Sequence, residues 1–319
     1  MNLIVLDLEW NQAPNVSSRN PIVPFEIIEI GAIKLNMDFK KIDQFCEVIK
    51  PVIYKKMHVI SREITHISNA SLRNGRGFKE VFNDFIKWCG DDYMICTWGC
   101  TDITELQRNM KYHGFPLFKA PVLYYDIQKI FSLVYEEDKK VRRSLQDAVE
   151  FLSIRTNIPF HRALSDAIYT AEVIRKLSLA DLTNHYSVDY YQKPQSKKQE
   201  FYFDYEDYSK YVSREFELKT DIMSDKQATT INCLKCGRAC RKKVRWFSGN
   251  SKIYYALGVC PEHGFIRSKL RVKKGDSGQY FAVKTSKFVD DNGLIALREK
   301  QADIRKKRKL KRKKEEEAN

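Results

Sequence analysis

Asp7 and Glu9 stand two apart in the run Asn2-Leu3-Ile4-Val5-Leu6-Asp7-Leu8-Glu9-Trp10. If this run is a strand, alternate side chains share a face, so both carboxylates project together while Leu6 and Leu8 face the other way. Two like charges at the end of a buried strand repel each other and resist desolvation, and a bound cation offsets that cost. Taken alone, the pair equally suits a solvated strand end.

A second constellation is His161-Arg162-Ala163-Leu164-Ser165-Asp166. On one continuous helix a five-residue offset turns side chains about 140° apart, so both groups reach one site only if His161 lies in the loop ahead of the helix. Pro159 breaks the preceding pattern, and the stripe Ile168, Ala171, Ile174, Leu177 begins after Asp166, which places the acid in the first turn. Between these motifs, Thr97-Trp98-Gly99-Cys100-Thr101-Asp102 puts an acid just after a strand and at the opening of a helix. By itself Asp102 would cap that helix. Asp126, also at a strand end, is the alternative for its role. Hard oxygen ligands favour Mg²⁺ or Mn²⁺, and a histidine, which titrates near neutrality, suits proton transfer.

Cysteines form a third group. Cys233-x2-Cys236 and Cys260-Pro261-Glu262-His263 are two tightly spaced pairs separated by 23 residues. That is zinc-ribbon spacing, and it suits a closed tetrahedral Zn²⁺ site. Cys240 is the alternative fourth ligand if His263 does not bind. Lys235, Arg238, Arg241, Lys242, Lys243 and Arg245 lie around it with Trp246 and Phe247, a basic and aromatic mixture suited to nucleic acid or, alternatively, a plain solvated face.

The elements that must position these residues follow from periodicity. Strands are expected over residues 2–10, 25–35 and 43–50, then a helix over 78–88, a strand over 93–98, a helix over 102–113 and a strand over 122–126. Helices at about 127–135, 144–153 and 164–179 complete an α/β domain over 1–182. Residues 183–230, rich in Tyr, Asp, Lys, Ser and Gln, read as a linker. A compact zinc-ribbon-like β module is expected over 231–295 and a basic charged tail over 296–319.

In this order, Asp7-Leu8-Glu9, Asp102 and His161-x4-Asp166 resemble the three motifs of the DEDDh 3′-to-5′ exonucleases, the RNase T and DnaQ-like group with a ribonuclease H-like fold. Glu29-Ile30-Gly31-Ala32, Ile64-Thr65-His66-Ile67, and Ser144-Leu145 through Ala148 and Leu152 support the resemblance, which covers roughly residues 1–180. Asp7-Leu8-Glu9-Trp10 and Trp98-Gly99-x-x-Asp102 look most like the KapD and histone-mRNA exonuclease branch, whose members act mainly on RNA. The resemblance implies a mixed five-stranded sheet flanked by helices. It also implies Asp7, Glu9, Asp102 and Asp166 around two Mg²⁺ or Mn²⁺ ions, with Asp7 bridging them, and His161 as general base. Two such cations stabilise the attacking and leaving oxygens of an in-line displacement at phosphorus. Release of nucleoside 5′-monophosphates from the 3′ end of single-stranded RNA follows; a DNA-directed exonuclease or a non-catalytic nucleic-acid adaptor are the alternatives. Trp10 or Phe25 would stack on a base of the bound strand, or else belong to the core.

Composition agrees with a polyanionic partner. The net charge is +15, of which residues 298–319 carry +6, so the remainder is basic in its own right. No apolar run approaches the roughly 20 residues of a spanning helix. The first residues lack the basic start of a signal peptide and meet acids early, so export is not expected, and the metal-ligand spacing of the clustered cysteines reads as a reducing, cytoplasmic setting and not a disulfide framework.

Overall fold

Residues 3–8 carry an apolar run broken only by Asp7, which can satisfy its backbone only between two other strands. In the computed structural model, which describes residues 1–317 and side chains through Lys311, that run lies in the strand β1 (Asn2–Gln12). The chain forms two compact units, Met1–Gln192 and Lys193–Asn319.

In the first unit β1 pairs antiparallel with β2 (Phe25–Leu35), and β2 pairs antiparallel with β3 (Lys41–Val48). The helices α1 (Val59–Thr65), α2 (Asn69–Asn74) and α3 (Phe78–Cys89) follow. Next come β4 (Tyr93–Thr97), α4 (Thr101–Tyr112) and β5 (Leu123–Asp126), with β4 parallel to both β1 and β5. Four helices lead to the end of the unit: α5 (Ile127–Tyr135), α6 (Leu145–Phe151), α7 (Ala163–Ile174) and α8 (Leu179–Thr183). The sheet order is β3-β2-β1-β4-β5-β6, where β6 (Ser187–Val188) adds an antiparallel edge to β5. The fold is the expected ribonuclease H-like mixed α/β sheet with helices on both faces. It has six strands and not five, because a two-residue edge strand carries no periodicity by which to read it.

Alternation along β1 sends Leu3 and Val5 into one core with Tyr169, Val173 and Ile174 of α7. Ile4, Leu6 and Leu8 enter a second core with Phe82 and Phe85 of α3 and Leu106 of α4. Asp7 and Glu9 therefore belong to the α7 face.

In the second unit, residues 201–212 are not a linker. The strands β7 (Phe201–Asp204) and β8 (Tyr208–Val212) open a six-stranded antiparallel sheet, ordered β7-β8-β12-β11-β10-β9. Here aromatic side chains supply burial that few aliphatics could, with Tyr211 only 2% exposed. The helices α9 (Lys219–Ser224) and α10 (Lys226–Thr229) follow, then β9 (Arg241–Asn250), β10 (Ile253–Cys260), β11 (Gly264–Lys274) and β12 (Tyr280–Val289). One sheet face packs against α9 and α10 through Ile222, Ala228, Leu270 and Ala282. The long α11 (Asp291–Glu317) starts before the expected tail and docks Leu294 and Leu297 on Val244 and Leu257 of the opposite face.

Candidate active site

The site grows from the end of β1. Opposite Asp7 on β2 stands Gly31, and opposite Glu9 stands Glu29. A Cβ on Gly31 would lie 2.1 Å from the Ala163 carbonyl carbon and the Leu164 nitrogen. The missing side chain lets the first turn of α7 rest on the strand, and that contact carries Asp166 to the two β1 carboxylates. Glu29, fully buried, accepts the Ala163 N–H at 2.9 Å and the Arg162 Nε at 3.1 Å, with a further bond from the same guanidinium. An anionic side chain at a helix N-terminus is favourable in itself. Glu29 and Arg162 thus tie the start of α7 to β2. The sequence offers Glu29 only as part of a supporting motif, since a buried acid inside an apolar strand carries no role until its partner is known.

Carboxylate oxygens of Asp7, Glu9 and Asp166 lie within 4.8 Å of one another. Asp102 stands in the first turn of α4 outside that trio, next enough to Asp7 that its charge is the largest electrostatic influence there after burial. Asp102 is 6% exposed, and its carboxyl faces the backbone N–H of Leu8. Asp126 does not join the group; it accepts the Lys129 N–H at 2.9 Å and caps α5. His161 occupies the loop before α7, exposed and with φ of +66°, a left-handed conformation that histidine tolerates better than most residues. Its N–H points to both Asp166 oxygens at 3.2 and 3.3 Å.

Burial and mutual repulsion hold this set against ionisation. Burial, then Asp102, Asp166, Glu9 and Glu29, raises the Asp7 carboxyl well above its ordinary range. Burial and then Asp166 push Glu9 up to about 8. Burial lifts Asp102 to about 7 and Asp166 to about 6, the latter restrained by the His161 N–H and imidazole. A cluster this hostile to its own charge is relieved by a cation, and all-oxygen donors fit a hard divalent ion.

Trp10 and Phe25 flank the site half-buried, ring centroids 5.6 Å apart, with the Arg19 guanidinium 5.3 Å from the Phe25 ring. Trp10 also packs on the α3–α4 core. A β-bulge falls between Glu9 and Trp10 and turns the strand as it leaves the carboxylates. Asn11, fully buried, donates to the carbonyls of Tyr54 and Lys56 and accepts the His58 N–H, pinning the 54–58 loop beside β1.

In the second unit, ligand atoms of Cys233, Cys236, Cys260 and His263 gather within 4.8 Å. The Cys236 and Cys260 sulfurs are 3.8 Å apart, and His263 Nδ1 lies 3.5 Å from the sulfurs of both Cys233 and Cys260. Tetrahedral zinc, with Zn–S near ~2.3 Å and Zn–N near ~2.1 Å, demands edges of about 3.6–3.8 Å, which these three separations approach. Each ligand pair is followed by a glycine of positive φ, Gly237 at +70° and Gly264 at +87°, which closes the tight turn. Cys240 is outside the set, its sulfur directed to the Arg238 carbonyl.

A carboxylate cluster with a flanking imidazole, set at the centre of this sheet, offers the oxygen donors of a divalent-metal site. The family model described as Exonuclease, RNase_T, matches residues 4–174, and the chain belongs to that family of metal-dependent 3′-to-5′ exonucleases. It is 27% identical over 177 residues to the DNA polymerase III subunit epsilon of Aquifex aeolicus, covering 55% of this chain and 83% of that protein. It is 30% identical over 154 residues to the PolC-type DNA polymerase III of Thermotoga petrophila, covering 46% of this chain and 10% of that protein. Among solved structures it is similar to the nuclease domain of 3′hExo bound to rAMP, with a TM-score of 0.49 at 19% identity, covering 55% of this chain and 90% of that one. A second similar structure is the complex titled 3′-end specific recognition of histone mRNA stem-loop by 3′-exonuclease, with a TM-score of 0.48 at 18% identity, covering 55% and 80%. Among the described residues no helix is long and apolar enough to cross a membrane.

Proposed function

We propose that the protein degrades single-stranded RNA from the 3′ end, releasing nucleoside 5′-monophosphates, in a reducing cytoplasmic setting. The observation that carries the catalytic assignment is the meeting of Asp7 and Glu9 from β1 with Asp166 from α7, beside Asp102 and His161. In this reading Asp7, Glu9, Asp102 and Asp166 would hold two Mg²⁺ or Mn²⁺ ions. Bound there, the cations supply charge stabilisation to the attacking and leaving oxygens at phosphorus.

His161 takes the proton of the attacking water. Its exposed loop position leaves the imidazole able to pass that proton to bulk solvent, while the bond from its N–H to Asp166 fixes where the ring starts. Trp10 and Phe25 receive the terminal base by stacking, a sequence-tolerant contact worth roughly 1–3 kcal/mol per base. The bulge after Glu9 turns Trp10 away from the strand's regular course, next to where a terminal nucleotide must lie. Cys233, Cys236, Cys260 and His263 hold one structural Zn²⁺ that stabilises the second unit.

The RNA preference rests on the run Asp7-Leu8-Glu9-Trp10 and on Trp98-Gly99-x-x-Asp102, which resemble the RNA-directed branch. The likeness to the DNA polymerase III subunit epsilon favours a second reading, DNA as substrate. Parallel digestion of 5′-labelled RNA and DNA oligonucleotides of identical sequence decides between them. Faster shortening of RNA is expected, and equal or faster shortening of DNA selects the second reading.

A further inference from the structure

The five strands β8 to β12 contain twelve Lys and Arg residues and not one Asp or Glu. Strand alternation sorts these charges. On β11, Ile266, Ser268, Leu270 and Val272 turn into the cores beneath α9, α10 and the Cys/His cluster. Arg267, Lys269 and Arg271 must therefore occupy the opposite face, and register places Lys287 of β12 directly across from Arg267. Arg271 and Lys287 are exposed, and Arg267 and Lys269 are half-exposed. Among the described residues none of these four makes an ion pair.

This face is walled on one side. The first turns of α11 cover the β9–β10 corner through Leu294 and Leu297, and Lys300 lies 4.1 Å from the centroid of Tyr255, the residue opposite Lys269. Farther along, Arg308 donates to the Ser248 carbonyl, so the helix runs beside the cation row and adds charge of the same sign. The crowding is felt at Lys269: burial lowers its ammonium pKa, Tyr255 opposes that, and Arg271, Lys300 and Arg267 lower it further. At its far end the row opens into a recess of about 630 Å³, whose lining includes Arg271 itself with Lys219, Lys252, Lys274 and Asn250 and contains no acid.

A row of like charges kept together without counter-charges costs folding free energy, which a polyanion would return on binding. Alternate residues on a strand are spaced about 6.7 Å apart, a step commensurate with successive phosphates of an extended nucleic-acid strand. We propose that this face of the second unit, floored by Arg267, Lys269, Arg271 and Lys287 and ending in the recess, is a docking surface for the phosphodiester backbone of a nucleic-acid strand. It rests on the exonuclease reading only in supplying the substrate that would occupy it.

The test uses the full-length chain carrying Asp7→Asn, so that nothing is consumed, and a fluorescent 30-nucleotide oligouridylate or oligothymidylate. Arg267→Gln/Lys269→Gln/Arg271→Gln is compared with an equally neutralised control, Lys119→Gln/Lys139→Gln/Lys140→Gln, over a salt series. Each phosphate contact on a single strand contributes about 0.7 to the slope of log affinity against log salt, so the face variant should lose about 2 in slope and about tenfold in affinity, and the control much less. Retained zinc and an unchanged melting temperature establish that the variant is folded. If it is not, Arg271→Gln alone should show about one third of the slope change. Equal affinity and slope in face variant and control overturn the proposal, as does failure of the parent chain to bind either oligonucleotide. A parent chain that binds in this way yet, with Asp7 restored, shortens no strand keeps the docking surface and removes the exonuclease reading.

Discussion

Arg162 and Glu29 are joined across the junction of α7 and β2: the guanidinium grips a carboxylate with no solvent exposure, and the next N–H of the chain donates to the same group. The pair sits between the histidine and the aspartate of one motif and beside the two acids of another. Arg162→Ala would leave Glu29 buried with one N–H partner. Because the arginine is partly exposed, a loss of about 2 kcal/mol in stability is expected, at the level of a hydrogen bond to a charged group. Activity should fall further than stability alone implies, because Asp166 loses its position. Urea unfolding and kcat measured on the same preparation check both.

Gly31→Ala places a methyl group inside the α7 backbone, and neither strand nor helix can yield as a flexible side chain would. A destabilisation of about 1–3 kcal/mol or more is expected, with kcat reduced at saturating metal. Thermal unfolding together with kinetics across a metal titration separates this from simple loss of metal affinity.

The pKa shifts predict a linkage between pH, metal and stability. Carboxyls raised in the folded state stabilise it below their unfolded values near ~4 and lose that contribution as pH rises towards the folded values. Those values are about 6 for Asp166, about 7 for Asp102 and about 8 for Glu9. Metal-free protein should therefore lose stability from this set between pH 4 and pH 8 relative to Asp7→Asn. Mg²⁺ or Mn²⁺ should raise the melting temperature more at pH 8 than at pH 6, where protons compete for the same oxygens. Calorimetric scans at the two pH values, with and without metal, provide the check.

Much of this site was legible in the chain itself. The two-residue spacing of Asp7 and Glu9, read as a strand, gave their common face, and Pro159 ahead of the stripe from Ile168 placed His161 in a loop before α7. The role of Glu29 was not legible, because its partner lies 133 positions away and only folding brings the two together. The strands at 201–212 were hidden for a different reason. Of the rings in that segment only Tyr211 is fully buried, and a segment of Tyr, Asp and Lys has the composition of a linker whether or not one of its rings is buried. The short edge strand Ser187–Val188 has no pattern to read.

His161→Ala should reduce kcat by about 10²–10⁴-fold, the usual contribution of a positioned general base, while leaving Mn²⁺ affinity within a fewfold of the parent. Single-turnover rates alongside Mn²⁺ binding by calorimetry would reveal the opposite pattern, lost affinity with near-normal chemistry, if the imidazole were a ligand.

At the second site, Cys260→Ser should abolish stoichiometric zinc and lower the melting temperature of the second unit, because metal binding is folding free energy there. Cys240→Ser should keep zinc at one per chain. Metal analysis of the two purified variants distinguishes them.

The central claim is that Asp7, Glu9, Asp102 and Asp166 act together as one cation-holding set. Its most direct measurement is the product ladder from a 5′-labelled RNA incubated with Mn²⁺ and either the parent chain or folded Asp166→Ala. The parent should shorten the strand one nucleotide at a time from the 3′ end while the variant leaves it intact. A folded Asp166→Ala that produces the ladder at near the parental rate would contradict the account.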